Sequence, residues 1–312
     1  MPRHADCCGN RHLPSAKLLS KASRSAPMPF MEPLSPAYAG LLLADGTAWT
    51  FFAGDETGMP LARALASAMR LSPASGPAPW NLSLSGDLPP GARQPELPLI
   101  LDRKADTAVT TITCQFLRIC NNIDLTDQLM ELGLLVGSSV ESGGGLLLHG
   151  ALAEKDGQGI LLAGPSDVGK TTASRRLPPP WRSRSDDCTL IVRDQGGRYL
   201  AHPWPTWSTF LEGNRGQSWD VQNSVPLRAI FLLAQSSTDQ VAPLRPGEAA
   251  CMLYEIAEQP WYGLNSEYDK TKLQILRTRR FANICQLVRT IPASALHLSR
   301  DGAFWEQIEQ VL

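Results

Sequence analysis

The run GPSDVGKTT, from Gly164 to Thr172, fills every position of the phosphate-loop pattern G-x-x-x-x-G-K-[ST]. That pattern restricts the chain to folds in which a buried strand enters a glycine-rich turn and leaves it as a helix. The flanks comply. Ile160 to Ala163 is a short apolar run of strand length, and a helix is expected from Lys170. Gly164 and Gly169 permit the tight turn, and Pro165, Ser166, Asp167 and Val168 form the loop whose backbone N–H groups turn inward toward phosphate oxygens. Lys170 is placed to reach the β- and γ-phosphates, and the hydroxyl of Thr171, followed by Thr172, to ligate Mg²⁺. A helix opening there adds its positive dipole end to the anion site.

Upstream, Gly143 to Gly145 precede two apolar runs that flank Asp156-Gly157, which predicts an antiparallel hairpin. With a two-residue turn, paired positions sum to 313, so His149 falls opposite Gly164 and stands beside the phosphate loop. A one-residue slip would turn its side chain away. Downstream, the helix can run only from about Lys170 to Leu177, because Pro178, Pro179 and Pro180 cannot continue it. Asp186-Asp187 then precedes a strand, Cys188 to Val192. Neighbouring side chains on extended backbone point to opposite sides. The pair can therefore divide labour, one carboxylate helping to hold Mg²⁺ and the other taking the proton of an attacking hydroxyl. On spacing alone a solvated turn fits the pair equally well. Other phosphate-loop machines fit worse: Arg193 interrupts Leu190 to Asp194, the apolar run Ile230 to Ala234 ends in Gln235, and no N-K-x-D occurs. This counts against GTPases and motors.

At 312 residues the chain can bury the core of one large domain or two modest ones. Residues 1–30 lack apolar periodicity and are expected to be a disordered tail rather than a secretory signal. Residues 39–136 are expected to form a small α+β portion. It contains a hairpin from Gly40 to Phe52 around Asp45-Gly46, a helix from Leu61 to Leu71 and a Pro/Gly/Ser-rich loop over 72–97. Strands from Leu97 to Asp102 and Ala108 to Leu117 follow, then a helix from Leu125 to Val136 opened by Asp124. Beyond the phosphate loop, Asp194 to Gly197 predicts a turn and Val225 to Leu233 a strand. Gly247 to Ala257, Lys270 to Arg289 and Phe304 to Leu312 predict helices.

His202 to Trp207 is too proline-rich for a regular element. His202, Trp204 and Trp207 fit a rigid loop packed on the core better than an aromatic wall for adenine or peptide. Arg277, Arg279 and Arg280 fit a solvated helix face, and Arg215 and Arg245 fit surface charges rather than phosphate clamps. A net charge of −1 supplies no field for nucleic acid. Seven cysteines without a C-x-x-C point to reduced thiols and a cytoplasmic protein. His4, Cys7, Cys8 and His12 do not suit a metal, because adjacent cysteines reach one tetrahedral ion poorly. No apolar run approaches the roughly 18 residues needed to span a bilayer.

His149-Gly150, the loop and Asp186-Asp187 together resemble the catalytic core of HPr kinase/phosphorylase, over about residues 143–195. The resemblance implies a phosphoenolpyruvate-carboxykinase-like phosphate-loop fold, and an enzyme that phosphorylates a serine on a small carrier protein. It implies that His149, Lys170 and Asp187 are catalytic, with Asp187 the base and Thr171 at the metal. Glu212, ahead of Arg215-Gly216, sits where that family has a metal-binding glutamate, although extra residues break the family's longer signature there. The stretch from His149 to Asp187, with HPWPTW and SVPLRAIFLL, is also similar to the ScmC proteins of SynChlorMet cassettes. Those are HPr-kinase-like proteins encoded beside radical-SAM enzymes and a modified peptide.

The expectation is therefore an α/β chain with a phosphate-loop kinase domain over 140–312 and the α+β portion before it. It would use ATP and Mg²⁺ to phosphorylate a hydroxyl, most simply of serine, on a peptide or small protein. Radical-SAM enzymes and a second copy of the chain are compatible partners; nucleic acid and membrane are not expected. The rival reading is a nucleotide-binding accessory protein that presents a peptide to partner enzymes without phosphoryl transfer. The acid pair and His149 favour the kinase, because a pure binder needs only the loop.

Overall fold

The computed structural model describes residues 38–56, 58–88, 110–117, 122–207, 218–261 and 269–312. The expectations for residues 1–30, for a strand at 97–102, for Glu212 and for Arg215 lie outside them. The described chain is mixed α/β, with two sheets and six α-helices. No helix among the described residues is long and apolar enough to cross a membrane.

The front of the chain opens as the alternation predicts, with an antiparallel hairpin of β1 (Ala39–Leu42) and β2 (Ala48–Ala53). Its turn places Gly46 at φ +84°, and the carboxylate of Asp45 accepts from Thr47 N at 2.8 Å. Helix α1 (Met59–Met69) follows, burying Leu61, Leu65 and Met69. β3 (Ser72–Pro73), β4 (Trp80–Leu88) and β5 (Thr110–Leu117) complete a sheet ordered β3-β1-β2-β4-β5, in which β2, β4 and β5 run parallel. β4 overturns the loop expected over 72–97. Asn81 and Ser83 are buried on it alongside Leu82 and Leu84. A strand buried on both faces need not alternate, and small polar residues made this one look like a loop.

Helix α2 (Asn122–Ser142) runs past the expected end at Val136. Two serines return their hydroxyls to the helix, Ser139 to Val136 O and Ser142 to Ser139 O, each at 2.7 Å. Gly137 lets Leu147 approach, since a Cβ there would lie 3.1 Å from the Cβ of Leu147.

The second sheet holds β6 (Leu146–Lys155), β7 (Gln158–Ala163), β8 (Arg182–Ser185), β9 (Cys188–Arg193), β10 (Tyr199–Trp204), β11 (Val225–Gln235), β12 (Gln240–Pro243) and β13 (Ala293–Leu298). Its order is β10-β9-β6-β7-β11-β13-β12, with β8 on β6. β10 also pairs with β11 at Leu200 and Ala201, so the sheet curls back on itself. The strand β10 corrects the expectation of irregular chain from His202. Six of its residues pair with β9, but β11 reaches only the first part, which leaves Pro203 on an edge where proline is tolerated. His202, Trp204 and Trp207 are buried, as a segment packed on the core requires.

Helices α3 (Lys170–Arg176), α4 (Pro246–Glu258), α5 (Lys270–Thr290) and α6 (Phe304–Glu309) cover the sheet, and α4 runs into a single 3₁₀ turn, Gln259–Trp261. One core cluster joins the front sheet, α1 and α2 to Leu147, Leu190 and Val192 of the second sheet. A second lies under α4 and α5, and a third under α3 and α6. The solvated face expected at Arg277 to Arg280 is only half right. Arg280 is 1% exposed, its guanidinium bonded to Glu141 (2.7 Å) and to Glu258 and lying 4.1 Å over the ring of Trp261. Its partners are 139 and 22 residues away in sequence, beyond the reach of helix periodicity.

Candidate functional site

The site is laid out by one hairpin. Asp156 and Gly157 both take positive φ, +52° and +73°, the geometry of a two-residue turn that matches strand twist. The register runs from Lys155 opposite Gln158 to Gly150 opposite Ala163, so paired positions do sum to 313. His149 is the next residue, level with the start of the phosphate loop. On its other side β6 pairs with β9, and there His149 lies opposite Cys188, one residue after Asp187. β6 is thus the middle strand between the loop and the acid pair, and His149 sits where both neighbours leave the sheet.

Side chains complete the arrangement. His149, Asp187, Ser166, Asp167 and the segment Gly169–Thr172 line one cleft of about 400 Å³. His149 Nε2 lies 2.7 Å from Asp187 Oδ1, and its Nδ1 lies 2.7 Å from Gln259 Oε1. Burial alone would raise the Asp187 carboxyl, but the hydrogen bond and charge of His149, with the charge of Lys170, hold it below the usual carboxylate range. The three residues that the resemblance named as catalytic share this one cleft.

Asp186 and Asp187 do face opposite ways. The Asp187 side chain is 37% exposed, that of Asp186 8%. Asp186 does not line the cleft; its Oδ1 accepts from Thr206 Oγ1 at 2.8 Å and its Oδ2 from Arg175 Nη2 at 3.2 Å. The remaining metal candidate among the described residues, Thr171, lines the cleft, with its hydroxyl 3.3 Å from Asp186 O. No group of three or more His, Cys, Asp or Glu side chains among the described residues is placed to hold a metal.

Lys170 is 5% exposed at the floor of the cleft. Its ammonium donates to Gly164 O at 3.0 Å and Pro165 O at 2.9 Å, and no carboxylate among the described residues forms an ion pair with it. Burial lowers its pKa despite the nearby Asp187 charge. A cation so placed, with loop N–H groups around it, fits a polyphosphate. Of the other loop residues, Val168 packs its side chain on the third core cluster. Gly164 is needed for that packing, since a Cβ there would come within 2.7 Å of Val168 Cγ1.

Two contributors were invisible in sequence. Gln235, at the end of β11, donates to Asp167 O (3.2 Å) and Val168 O (3.5 Å) and braces the loop from the neighbouring strand. Gln259 reaches His149 across 110 residues of sequence. A lone glutamine after a helix carries no signal, and only the fold brings it in. Arg245, weighed as a phosphate clamp, is exposed and outside the cleft.

The profile of one family, described as SynChlorMet cassette protein ScmC, matches residues 112–312, which include every residue of the cleft. No curated protein matches the chain.

Proposed function

The chain belongs to the SynChlorMet cassette protein ScmC family, and on that premise we propose that it is an ATP-dependent kinase acting on a hydroxyl, most simply of serine, in a peptide or small protein. The second sheet would then be a phosphoenolpyruvate-carboxykinase-like, HPr-kinase-like core. The observation that carries the reading is the conjunction, in one cleft, of a buried cation that has no carboxylate partner among the described residues and a half-buried carboxylate held by a histidine. A binder of nucleotide needs the first, while the second is superfluous unless a proton has to move.

Bound Mg²⁺·ATP would supply the transferable phosphoryl group. The loop N–H groups and Lys170 would hold its phosphates, and the Thr171 hydroxyl would ligate the metal. Asp187 would accept the proton of the acceptor hydroxyl as that oxygen attacks, and His149 would keep the carboxylate aimed. Asp186 would anchor Thr206 and, through Arg175, the last turn of α3. Asp187→Asn keeps the shape without the basicity. It is expected to bind ATP nearly as well as wild type while transferring phosphate to a cassette-encoded peptide about 10²–10⁴-fold more slowly. Labelled-ATP transfer and calorimetry measure the two. If wild type moves no phosphate yet binds the peptide more tightly with ATP present, the chain is instead a nucleotide-gated presenter.

A further inference from the structure

Behind His149 the hydrogen-bonded chain continues into the scaffold. Gln259 opens the 3₁₀ turn that follows α4, and that turn is tied down before and after it. Glu258, just before it, receives hydrogen bonds from Arg277 at 3.1 Å and from Arg280. Trp261, closing the turn, lies beneath the same guanidinium at 4.1 Å. Arg280 is in turn held by Glu141 from α2. One buried cation thus fixes the turn from both ends, and with it the reach of Gln259.

At its other end the amide meets the imidazole edge opposite Asp187, with 2.7 Å on either side. Two acceptors facing the two ring nitrogens define the ring orientation, because a ring flip would put carbon atoms against both oxygens. The amide oxygen requires a proton on Nδ1, and the hydrogen bond at one ring nitrogen decides the state of the other. Nε2 is then left to exchange a proton with Asp187 alone. An amide does this without adding a negative charge near the phosphate site.

We propose that Gln259 is a positioning residue that fixes the orientation and the Nδ1–H form of His149, and that the Arg280 cluster exists to hold the turn carrying it. Its catalytic consequence rests on the kinase reading; the positioning itself does not. The test compares wild type with Gln259→Leu, which removes the acceptor, and Gln259→Glu, which keeps the reach and presents only acceptors.

Ring-nitrogen NMR of histidine-labelled protein, assigned with His149→Asn, should show the Nδ1 proton in wild type and in Gln259→Glu and its loss in Gln259→Leu. Phosphoryl transfer should fall ~10²-fold in kcat for Gln259→Leu, as for an ångström-scale misplacement of a reacting group. Its KM for nucleotide should stay unchanged, and Gln259→Glu should recover most of the rate. An Nδ1 proton that persists in Gln259→Leu overturns the proposal, as does equal loss of kcat in both variants. If wild type itself transfers no phosphate, the kinase reading fails and the NMR spectra alone decide the role of Gln259.

Discussion

Lys170 shows at the residue scale how a site is prepared for a ligand. Its ammonium rests on Gly164 O and Pro165 O in a largely buried position, an arrangement that a bound anion would improve and a neutral side chain would not miss. Lys170→Met should weaken triphosphate binding about 10- to 100-fold, the equivalent of a charged hydrogen bond worth roughly 1.5–3 kcal/mol. The pH dependence of folding supplies a second readout. Burial holds this lysine below its ordinary 10.5 in the folded chain. Between the two values the unfolded chain binds more protons, so the contribution of Lys170 to stability rises with pH. The stability of wild type relative to Lys170→Met should therefore increase as pH is raised from neutral toward 10.5. Urea titrations at several pH values would show it, and a difference flat with pH would mean that the ammonium is not desolvated.

Among the elements, α5 makes the clearest energetic claim. Asp269 caps it by accepting from Thr271 N (2.8 Å) and Lys272 N (3.3 Å), and Arg280 in its middle ties it to α2 and α4. Removing one member of a buried ionic cluster leaves the others uncompensated. Arg280→Met is accordingly expected to cost about 3–5 kcal/mol in urea unfolding. A loss below about 1 kcal/mol would show that water or a shifted side chain relieves Glu141 and Glu258.

Legibility followed the range of the interactions. The hairpin register that sets His149, the proline stop after α3 and the opposed Asp186 and Asp187 depend on near neighbours, and all were readable. β4 and β10 were hidden because tertiary position, not composition, decides whether such residues can sit in a strand: burial admits Asn81 and Ser83, and an edge admits Pro203. Arg280, Gln235 and Gln259 were hidden because their partners are distant in the chain. A residue pattern states what a side chain can do, but not which far segment will ask it to.

Taken whole, the described chain is joined across its two sheets. Trp219 N donates to Ala68 O at 2.7 Å, and His202 bridges Ala44 N (3.2 Å) to Val221 O (2.6 Å). The first core cluster has members in both sheets. A fragment beginning at residue 143 would expose Leu147, Leu190, Val192 and Trp204, and is expected to be insoluble, whereas residues 36–312 should melt in one calorimetric transition. Two resolved transitions would establish independent halves. The hairpin between β6 and β7 carries a further consequence, for anyone redesigning the protein. It works as a ruler with a zero mark at Asp156-Gly157, and what it measures is parity. The turn lies six residue pairs, roughly 20 Å, from the cleft at strand spacing. A peptide tag spliced between those two residues should therefore be tolerated. A single residue added to β6 between His149 and the turn would reverse odd and even along it and turn His149 out of the cleft, with no catalytic atom altered.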